Sequence, residues 1–315
     1  MKFCRGHDEN MDVSIVIVNW NTKKLLLDCL ASIHGAIKGV SYEIFLVDNA
    51  SSDGSVAAVR VDYPDVIVIE NESNLGFAAA NNKALRQMNG QYALLLNTDT
   101  ILTDGAIEKI HDYMVKHNDV AMACGQLLNE DGSKQNSVAN FPSILSLLCN
   151  ETILRLIFPE KFPSKRQEYK DPIEVDSCIG ACLMVRKKAM DEVGLLDERY
   201  FFFMEETDWA LAMQKAGWRS CLVPDARIFH LQGQSAGDNV KARIMFYRSR
   251  YGYFRKWFPS CFLILAAVVV FRLTLNFLLN FFGVIITFGL YKGIRKRVKT
   301  YGQLLWWHLQ GCPKI

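Results

Sequence analysis

The sequence predicts an α/β fold with a doubly wound, mostly parallel sheet, followed by an apolar helical segment that associates with a membrane. Short apolar runs alternate with helical segments along residues 13–97, as in parallel sheets whose crossovers are helices. Each run ends in Asn or Asp, and ligands of such sheets bind beyond the carboxyl ends of the strands. Residues 241–315 are instead apolar and basic.

The first strand and the first helix are predicted from local composition. Val13–Val18 is a β-branched run without charges, which indicates a buried parallel strand. Thr22 is a residue type that caps helices, and the helix after it should bury one apolar face. The residues of that face recur at spacings of four, three and four: Leu26, Leu30, Ile33 and Ile37.

The alternation continues to residue 223, with one gap. Strands are expected at Glu43–Val47, Val66–Ile69, Tyr92–Leu96, Cys182–Val185 and Ser220–Val223. Helices are expected after Ser52, through Ala80, Ala84 and Met88, at Lys187–Val193 and at Glu206–Gly217. Gln126–Asp171 mixes Pro, Lys and polar residues with apolar patches. It has no firm assignment, and a mobile loop is expected there.

Charge is distributed unevenly along the chain. The 36 Lys and Arg and the 33 Asp and Glu give a net charge of +3, but residues 241–315 hold 13 of the basic residues and no acidic one. The remainder therefore has 23 basic against 33 acidic residues, which argues against a nucleic-acid-binding protein. A cationic, apolar tail of this kind is attracted to anionic lipid.

Nine scattered cysteines without a CxxC pair indicate a reducing compartment. Cys178 and Cys182 are four residues apart and could share a metal. No second ligand pair follows them, and buried thiols are the favoured interpretation. The N-terminal residues MKFCRGHDEN contain no apolar stretch, so no secretory signal is expected.

Five sequence blocks form a specific pattern. They are VSIVIVNWN, FLVDNASSDGS, NLGFAAANN, LLLNTDT and GACLMVRKKAMDEVGLLDERYFFFMEETDW, and PDARIFH follows the last one. In this order they resemble the family-2 glycosyltransferases, especially the branch that includes bacterial rhamnosyltransferases. The resemblance covers Val13–His230 and implies a GT-A fold. The expected organisation is a disordered N-terminus (1–11), a catalytic domain (12–240, with a nucleotide-binding half at 12–100 and an acceptor half at 101–240) and a membrane-associated tail (241–315).

The resemblance assigns contacts with a nucleotide sugar to polar residues after the strands. Asp48 would accept the imide N–H of uracil or thymine, although DNASSDGS also favours turns and an Asx-turn is the alternative. Asn74 and Gly76 open a helix whose backbone N–H groups could meet a phosphate, with a plain cap as the alternative. The same group of expected nucleotide-sugar residues includes Asn19, Asn21, Asn97 and Gly180.

A metal site is implied at the position of the family's DXD motif, which Asn97, Thr98 and Asp99 occupy. Asp99 would ligate Mg²⁺ or Mn²⁺ through oxygen, and diphosphate oxygens and water would complete the shell. Asn97 departs from the motif and would bond the ribose or a metal-bound water. His230 follows the last strand, where the family places a histidine near the metal and the diphosphate. The alternatives are a capping role for Asp99 and a structural role for His230.

Glu205, Glu206 and Asp208 match the family's acidic block, which implies a general base for the acceptor hydroxyl. Glu206 holds the base position, Asp208 is the reserve, and Glu205 supports the site. Repulsion between the clustered carboxylates and burial beside aromatic residues should raise the pKa of a carboxyl in this block, which suits a general base. The alternative is that all three favour a helix N-terminus through its dipole. Because one base and no covalent nucleophile is evident, inversion at the anomeric carbon is expected.

The apolar run Cys261–Leu290 is predicted to form a helical segment at the membrane surface. Its polar residues are four apart and share one helical face: Arg272, Asn276 and Asn280. Basic residues flank both ends, which favours an interfacial or re-entrant segment with both flanks in the cytoplasm over a single span. Trp306 and Trp307 are predicted interface anchors. A soluble helical layer or a homodimer interface is the alternative.

Together these features predict an inverting, metal-dependent glycosyltransferase at the cytoplasmic face of a membrane, active in cell-surface polysaccharide synthesis. The expected donor is dTDP-rhamnose or a UDP-sugar, and the expected acceptor is a saccharide carried on a polyprenyl lipid. A dinucleotide-binding dehydrogenase is disfavoured because residues 19–22 lack the required glycines. The rival from another class is a non-catalytic membrane scaffold for other glycosyltransferases, against which Asp99 and Glu206 argue.

Overall fold

The computed structural model describes residues 11–148, 151–158, 168–231 and 240–312, which form two compact units. The first unit takes its described residues from 1–141, 164–201 and 205–235, and the second from 142–163, 202–204 and 236–315. The expected boundary was at 240, whereas 142–163 and 202–204 group with the C-terminal residues. The disorder expected at 1–11 concerns, apart from Met11, residues outside the described ranges.

Eleven strands and eleven α-helices are described. The strands are β1 (Val13–Asn19), β2 (Tyr42–Asp48), β3 (Ile67–Glu70), β4 (Tyr92–Asn97), β5 (Thr100–Leu102), β6 (Val120–Leu128), β7 (Val138–Ala139), β8 (Ile173–Val175), β9 (Ser177–Cys178), β10 (Cys182–Arg186) and β11 (Arg219–His230). The helices are α1 (Lys23–Ala36), α2 (Ser55–Asp62), α3 (Gly76–Leu85), α4 (Ala106–Lys116), α5 (Ile144–Leu148), α6 (Glu151–Ile157), α7 (Lys187–Val193), α8 (Glu205–Lys215), α9 (Val240–Trp257), α10 (Phe262–Ile286) and α11 (Lys292–Leu309).

The sheet of the first unit has the order β3-β2-β1-β4-β10-β6-β11-β5, with β8 also paired to β11. Strands β3, β2, β1 and β4 are parallel, and β10 enters antiparallel between β4 and β6. The register pairs Asn19 with Asp48 and Val18 with Asn97. The carboxyl ends of β1, β2 and β4 therefore meet at one rim, as the predicted α/β class requires.

The elements expected from the sequence are present, with local differences. Helix α1 buries Leu26, Leu30 and Ile33 completely. Thr22 precedes α1 without capping it, because its hydroxyl donates to Asn19 Oδ1 at 2.8 Å instead. The last strand runs on to His230, and α4 and β6 are additional elements. Within the unassigned segment 126–171, the described residues include the end of β6, strand β7 and helices α5 and α6, so the expected mobile loop is wrong for them.

The buried-thiol interpretation of Cys178 and Cys182 is confirmed. Both side chains are free and fully buried in the sheet core. Burial raises the pKa of the Cys182 thiol to about 12, so this thiol stays protonated near neutral pH and is unreactive.

The second unit contains α5, α6 and the three C-terminal helices α9, α10 and α11. Pro259–Ile286 is the one stretch of described residues that is long and apolar enough to cross a membrane. Helix α11 runs back along α10, because Gly302 lies against the Phe277 ring and Gly283 lies against Ile294. The two helices therefore form an antiparallel hairpin.

The predicted polar face of α10 is used partly inside the second unit. Arg272 donates to the carbonyl of Leu147 in α5, and Asn280 donates to the carbonyl of Asn276. Of the two predicted interface anchors, Trp306 is 62% exposed, whereas Trp307 is 4% exposed. The prediction for Trp307 is wrong because consecutive helical residues point in different directions, so Trp307 packs inside the unit.

Candidate active site

The carboxyl ends of β1 and β2 are joined by a buried polar network. Asn19 Nδ2 lies 2.8 Å from both Asp48 Oδ1 and Ser55 Oγ, and Asp48 Oδ2 accepts the Ser51 N–H at 2.8 Å. Asn19 and Asp48 are almost fully shielded from solvent. Asn21 has a left-handed backbone (φ 54°) and accepts the Ser52 N–H. These bonds show that Asp48 and both asparagines brace the loop between β2 and α2. Contacts of these residues with a base or sugar stay predictions.

The turn before α3 is held by one local side chain and by one carbonyl from a distant part of the chain. Asn74 Oδ1 accepts the Gly76 N–H at 2.9 Å, and Phe77 N–H donates to the Phe201 carbonyl at 2.8 Å. The Gly76 N–H, which was expected near a phosphate, and the Phe77 N–H that follows it are therefore both bonded within the chain. Gly76 has φ +80°, and a Cβ at this position would lie 2.2 Å from the Phe201 carbonyl oxygen. Gly76 thus allows a close approach of two backbone segments.

Asp99 and His230 come together where β4 ends and β11 ends. The Leu231 N–H donates to the Asp99 carbonyl, and His230 pairs with Thr100 in the antiparallel ladder. This backbone pairing leaves His230 Nε2 3.4 Å from Asp99 Oδ1. Both side chains are buried, at 8% and 3% exposure.

The pair formed by Asp99 and His230 fits two adjacent ligands of a divalent cation. Ligands at about 2.1 Å in an octahedral shell lie about 3 Å from one another, close to the observed separation of the two atoms. Within the part of the chain that the structure describes, no three His, Cys, Asp or Glu side chains are grouped for a metal. The remaining ligands would therefore come from diphosphate oxygens and water.

Glu206 is connected to the end of β4 by two main-chain contacts. Asn97 N–H donates to the Ala181 carbonyl at 3.0 Å, and the neighbouring Gly180 N–H donates to Glu206 Oε1 at 3.1 Å. A Cβ at position 180 would lie 3.2 Å from that carboxylate oxygen. Gly180 therefore both donates to Glu206 and leaves room for it. Glu206, Gly180 and Asn97 lie close together at the rim that carries Asp99.

The three acidic residues of α8 have different surroundings. Glu206 Oε2 is buried without a hydrogen-bond partner, and burial raises the pKa of Glu206, an effect opposed by the backbone N–H groups of Glu206 and Gly180. Asp208 is buried and accepts the Tyr200 hydroxyl at 3.0 Å. Glu205 is buried at the first position of α8. The Tyr200 hydroxyl thus occupies one oxygen of Asp208, whereas Glu206 has an oxygen open to a further donor. The role of each residue in catalysis stays a prediction.

Two non-glycine residues with left-handed backbones precede α8. Phe203 has φ 71° and Met204 has φ 73°, conformations that cost about 1–3 kcal/mol each and occur where surrounding structure enforces them. In the second unit, the Ser249 hydroxyl donates to the Phe202 carbonyl at 2.8 Å, and the Phe203 ring contacts the Phe246 ring. Two contacts from α9 therefore hold the segment whose next residue is Glu205.

Gln135 is a residue of this site that sequence reasoning missed. Its side chain bonds His230 twice, although the two residues are 95 positions apart. Gln135 lies in the segment that received no assignment, and a single glutamine among polar residues gives no local signal of a distant partner. Only the tertiary structure brings the pair together.

The fold and its polar rim define a nucleotide-sugar glycosyltransferase of the GT-A type. The chain belongs to glycosyl transferase family 2, because the model of that family matches residues 14–194. The expected family and enzyme class are thereby confirmed.

Relatives and solved structures agree with this assignment. The chain is 31% identical to the N-acetylglucosaminyl-diphospho-decaprenol L-rhamnosyltransferase of Mycobacterium tuberculosis, over 64% of this chain and 70% of the relative. It is 25% identical to the low-salt glycan biosynthesis hexosyltransferase Agl10 of Haloferax volcanii, over 68% of this chain and 66% of the relative. The mannosyltransferase PcManGT from Pyrobaculum calidifontis, solved in complex with GDP-Man and Mn²⁺, superposes with a TM-score of 0.56 at 16% identity, over 93% of this chain and 84% of that one. It shows the shared fold.

Gly76→Ala should destabilise the protein more than Gly105→Ala. Both glycines have positive φ, but a Cβ at position 105 meets nothing within 4 Å. The Gly105 substitution should cost about 1–2 kcal/mol for its backbone conformation, and the Gly76 substitution about 1–3 kcal/mol more for the steric conflict with Phe201. Urea unfolding of both variants measures the difference. Equal losses of unfolding free energy in the two variants would show that the backbone near Phe201 moves away from the new Cβ at no cost.

Glu206→Gln should stabilise the protein at neutral pH. Because the folded-state pKa is raised, folding favours the protonated carboxyl, and stability is lost as pH rises from the ordinary glutamate value of about 4.3 through the raised pKa. The amide removes this loss, so the variant should melt higher than wild type above the raised pKa and equally below pH 4.3. Melting temperatures across this range test the sign, with the exposed Glu72→Gln as control. A lower melting temperature for Glu206→Gln at neutral pH contradicts the burial argument.

Proposed function

We propose that the protein is an inverting, metal-dependent glycosyltransferase that transfers a sugar from a nucleotide diphosphate to a saccharide on a polyprenyl diphosphate. The proposed donor is dTDP-rhamnose, with a UDP-sugar as the alternative. The observation that carries the proposal is the contact path from Asp99 through Asn97, Ala181 and Gly180 to Glu206. It links a candidate metal ligand to a candidate base at one rim of the sheet.

The donor would bind across the carboxyl ends of the parallel strands. Asp48 ends β2 at the rim beyond which ligands of such sheets bind, and its carboxylate would accept the imide N–H of thymine or uracil. Its present bonds use one acceptor position on each oxygen, and a carboxylate has about four in total. Asn97, whose side chain is partly exposed, would contact the ribose or a metal-bound water.

Asp99 and His230 would hold Mg²⁺ or Mn²⁺ between them. When bound, the cation supplies Lewis-acid stabilisation of the charge that develops on the departing diphosphate. Burial of both side chains keeps them fixed before the donor arrives, which lowers the reorganisation required.

Glu206 would remove the proton from the acceptor hydroxyl. The acceptor oxygen forms a bond to the anomeric carbon as the bond from that carbon to the phosphate oxygen breaks. The nucleoside diphosphate leaves with the electron pair, and the proton moves to the unpartnered Glu206 Oε2. A single displacement inverts the anomeric centre. The raised pKa of Glu206 makes its carboxylate a stronger base than an exposed glutamate.

The choice of donor and acceptor is supported by the relatives. The mycobacterial relative carries in its name rhamnose as the transferred sugar and a diphospho-decaprenol acceptor. The second unit supplies an independent physical reason for a lipid-linked acceptor, because α10 exposes large apolar side chains along its length.

The hairpin of α10 and α11 favours attachment to the cytoplasmic membrane surface. Five basic residues of α11 are exposed: Lys292, Arg295, Lys296, Arg297 and Lys299. If α10 crossed the bilayer, Arg297 and Lys299, which lie between the two contact points with α10, would enter the hydrocarbon layer at a cost of about 2.5–3.5 kcal/mol each. An orientation along the surface places apolar side chains in the lipid and basic ones at anionic headgroups.

Turnover should collapse when Glu206 or Asp99 is neutralised. Glu206→Gln should lower the rate of nucleoside diphosphate release about 10²–10⁴-fold, and Asp99→Asn about 10²–10³-fold. Asp104→Asn, at an exposed position, is the control and should keep the wild-type rate. The assay uses dTDP-rhamnose and UDP-hexoses with polyprenyl diphosphate-linked N-acetylglucosamine, and NMR of the product gives the anomeric configuration. Retained configuration rejects the single displacement, and unchanged rates in both variants favour the scaffold.

Binding to lipid vesicles should depend on the apolar side chains of α10. Phe282→Glu, at a position 58% exposed, should lower partitioning at least about tenfold, since one buried aromatic side chain contributes about 1.5–3 kcal/mol. Arg297→Gln should weaken binding about fivefold to vesicles that contain phosphatidylglycerol but leave binding to pure phosphatidylcholine unchanged.

Flotation of the full chain with both kinds of vesicle measures these effects, and Val61→Glu, at an exposed apolar residue of the first unit, is the control. Resistance of the wild-type protein to alkaline extraction would support a spanning helix instead. A shift in oligomeric state without loss of vesicle binding would support the homodimer interface.

A further inference from the structure

Gln135 holds the imidazole ring of His230 by two hydrogen bonds at once. Its Nε2 donates to the His230 carbonyl oxygen at 2.5 Å, and its Oε1 lies 2.9 Å from His230 Nδ1. Both residues are buried, with 7% and 8% exposure. The two bonds join the same side chain to the main chain and to the ring of one residue.

The first of these bonds determines the direction of the second. A carbonyl oxygen only accepts, so the amide nitrogen of Gln135 must face it, and the amide oxygen must then face Nδ1. Because this oxygen also only accepts, Nδ1 must carry the hydrogen. A neutral His230 ring therefore has its lone pair on Nε2, the atom that lies 3.4 Å from Asp99 Oδ1.

The backbone of Gln135 is fixed by neighbouring bonds. Gln126 Nε2 lies 2.8 Å from the Gln135 carbonyl and 3.0 Å from Ser137 Oγ. The Gln135 N–H donates to the Leu127 carbonyl at 2.8 Å. These bonds anchor the Gln135 main chain to the end of β6. The side-chain amide itself is oriented by the His230 carbonyl, which only accepts and therefore keeps the amide nitrogen turned toward it.

We propose that Gln135 is a positioning residue that holds the Nδ1–H tautomer and the ring orientation of His230, so that Nε2 faces a divalent cation bound with Asp99. The inference rests on the proposed function because it assumes that cation. Gln135 itself would touch neither the cation nor the substrate. Partners of this kind fix the tautomer of metal-binding histidines, and their loss lowers metal affinity about 10–100-fold.

Two substitutions separate this role from simple packing. Gln135→Met keeps the length of the side chain and removes the acceptor from Nδ1. Gln135→Glu keeps an acceptor at Nδ1 and should retain the tautomer, with a protonated carboxyl oxygen donating to the His230 carbonyl in place of the amide nitrogen. Gln126→Met is the matched control, because it removes an amide that braces the same loop and leaves the contact between Gln135 and His230 in place.

The first measurement is the tautomer of His230 in the metal-free protein. The full chain, labelled with ¹⁵N-histidine, is observed by long-range ¹H–¹⁵N NMR at a pH well above the ordinary histidine pKa of about 6.5, and His230→Gln assigns the signal. Wild type, Gln135→Glu and Gln126→Met should show protonated Nδ1, whereas Gln135→Met should shift toward the mixture found in a free ring. The proposal is overturned if the His230 ring of the wild-type protein is protonated at Nε2. It is also overturned if the His230 tautomer in Gln135→Met is unchanged from wild type.

The second measurement is Mn²⁺ binding followed by electron paramagnetic resonance, with dTDP in one series and UDP in the other. Gln135→Met should bind Mn²⁺ about 10–100-fold more weakly than wild type, and Gln135→Glu and Gln126→Met should stay within a few-fold of wild type. If wild type binds Mn²⁺ in a manner that Asp99→Asn abolishes and Gln135→Met binds it equally well, the positioning role is overturned and the proposed function stands. If no binding depends on Asp99, both are overturned.

Discussion

The candidate site depends on the place where the parallel and antiparallel parts of the sheet meet. The hydrogen bond from Asn97 N–H to the Ala181 carbonyl joins the end of β4 to the turn before β10. Through that bond the chain places Gly180, and with it Glu206, beside the strand end that leads to Asp99. A shift of β10 by one residue along β4 would turn its side chains to the other face and separate the proposed base from the proposed metal ligands.

Burial raises the pKa of Glu206 and also lowers the stability of the fold. Glu206 keeps one carboxylate oxygen without a partner in a shielded position, and each such group costs about 1–3 kcal/mol. Two left-handed residues precede α8 and add strain of similar size. Such costs persist where function requires them. The hydrogen-bond networks around Asn19 and Gln126 lie at the same rim, and their buried bonds restrain it.

Local patterns in the sequence predicted the parallel half of the sheet well. Runs such as Val13–Val18 are apolar at nearly every position because both faces of the strand are buried. The strand can therefore be recognised without knowing which distant residues it contacts. The antiparallel direction of β10 could not be predicted, because the apolar run Cys182–Val185 is compatible with either strand direction. The path by which the chain returns to the sheet determines that direction. Gln135 also escaped prediction, since its role exists only through a partner 95 residues away.

The C-terminal tail shows where a sequence pattern was sufficient and where it was incomplete. Composition alone identified an apolar segment with basic flanks, but two neighbouring tryptophans on one helix cannot both face the same surface. The return of α11 along α10 supports the proposed surface orientation, because it brings exposed basic residues alongside the apolar helix. Moving a helix into the hydrocarbon layer is costly when lysines and arginines lie beside it over much of its length. At the headgroup region, apolar side chains can enter the lipid while basic side chains stay in contact with water and anionic headgroups.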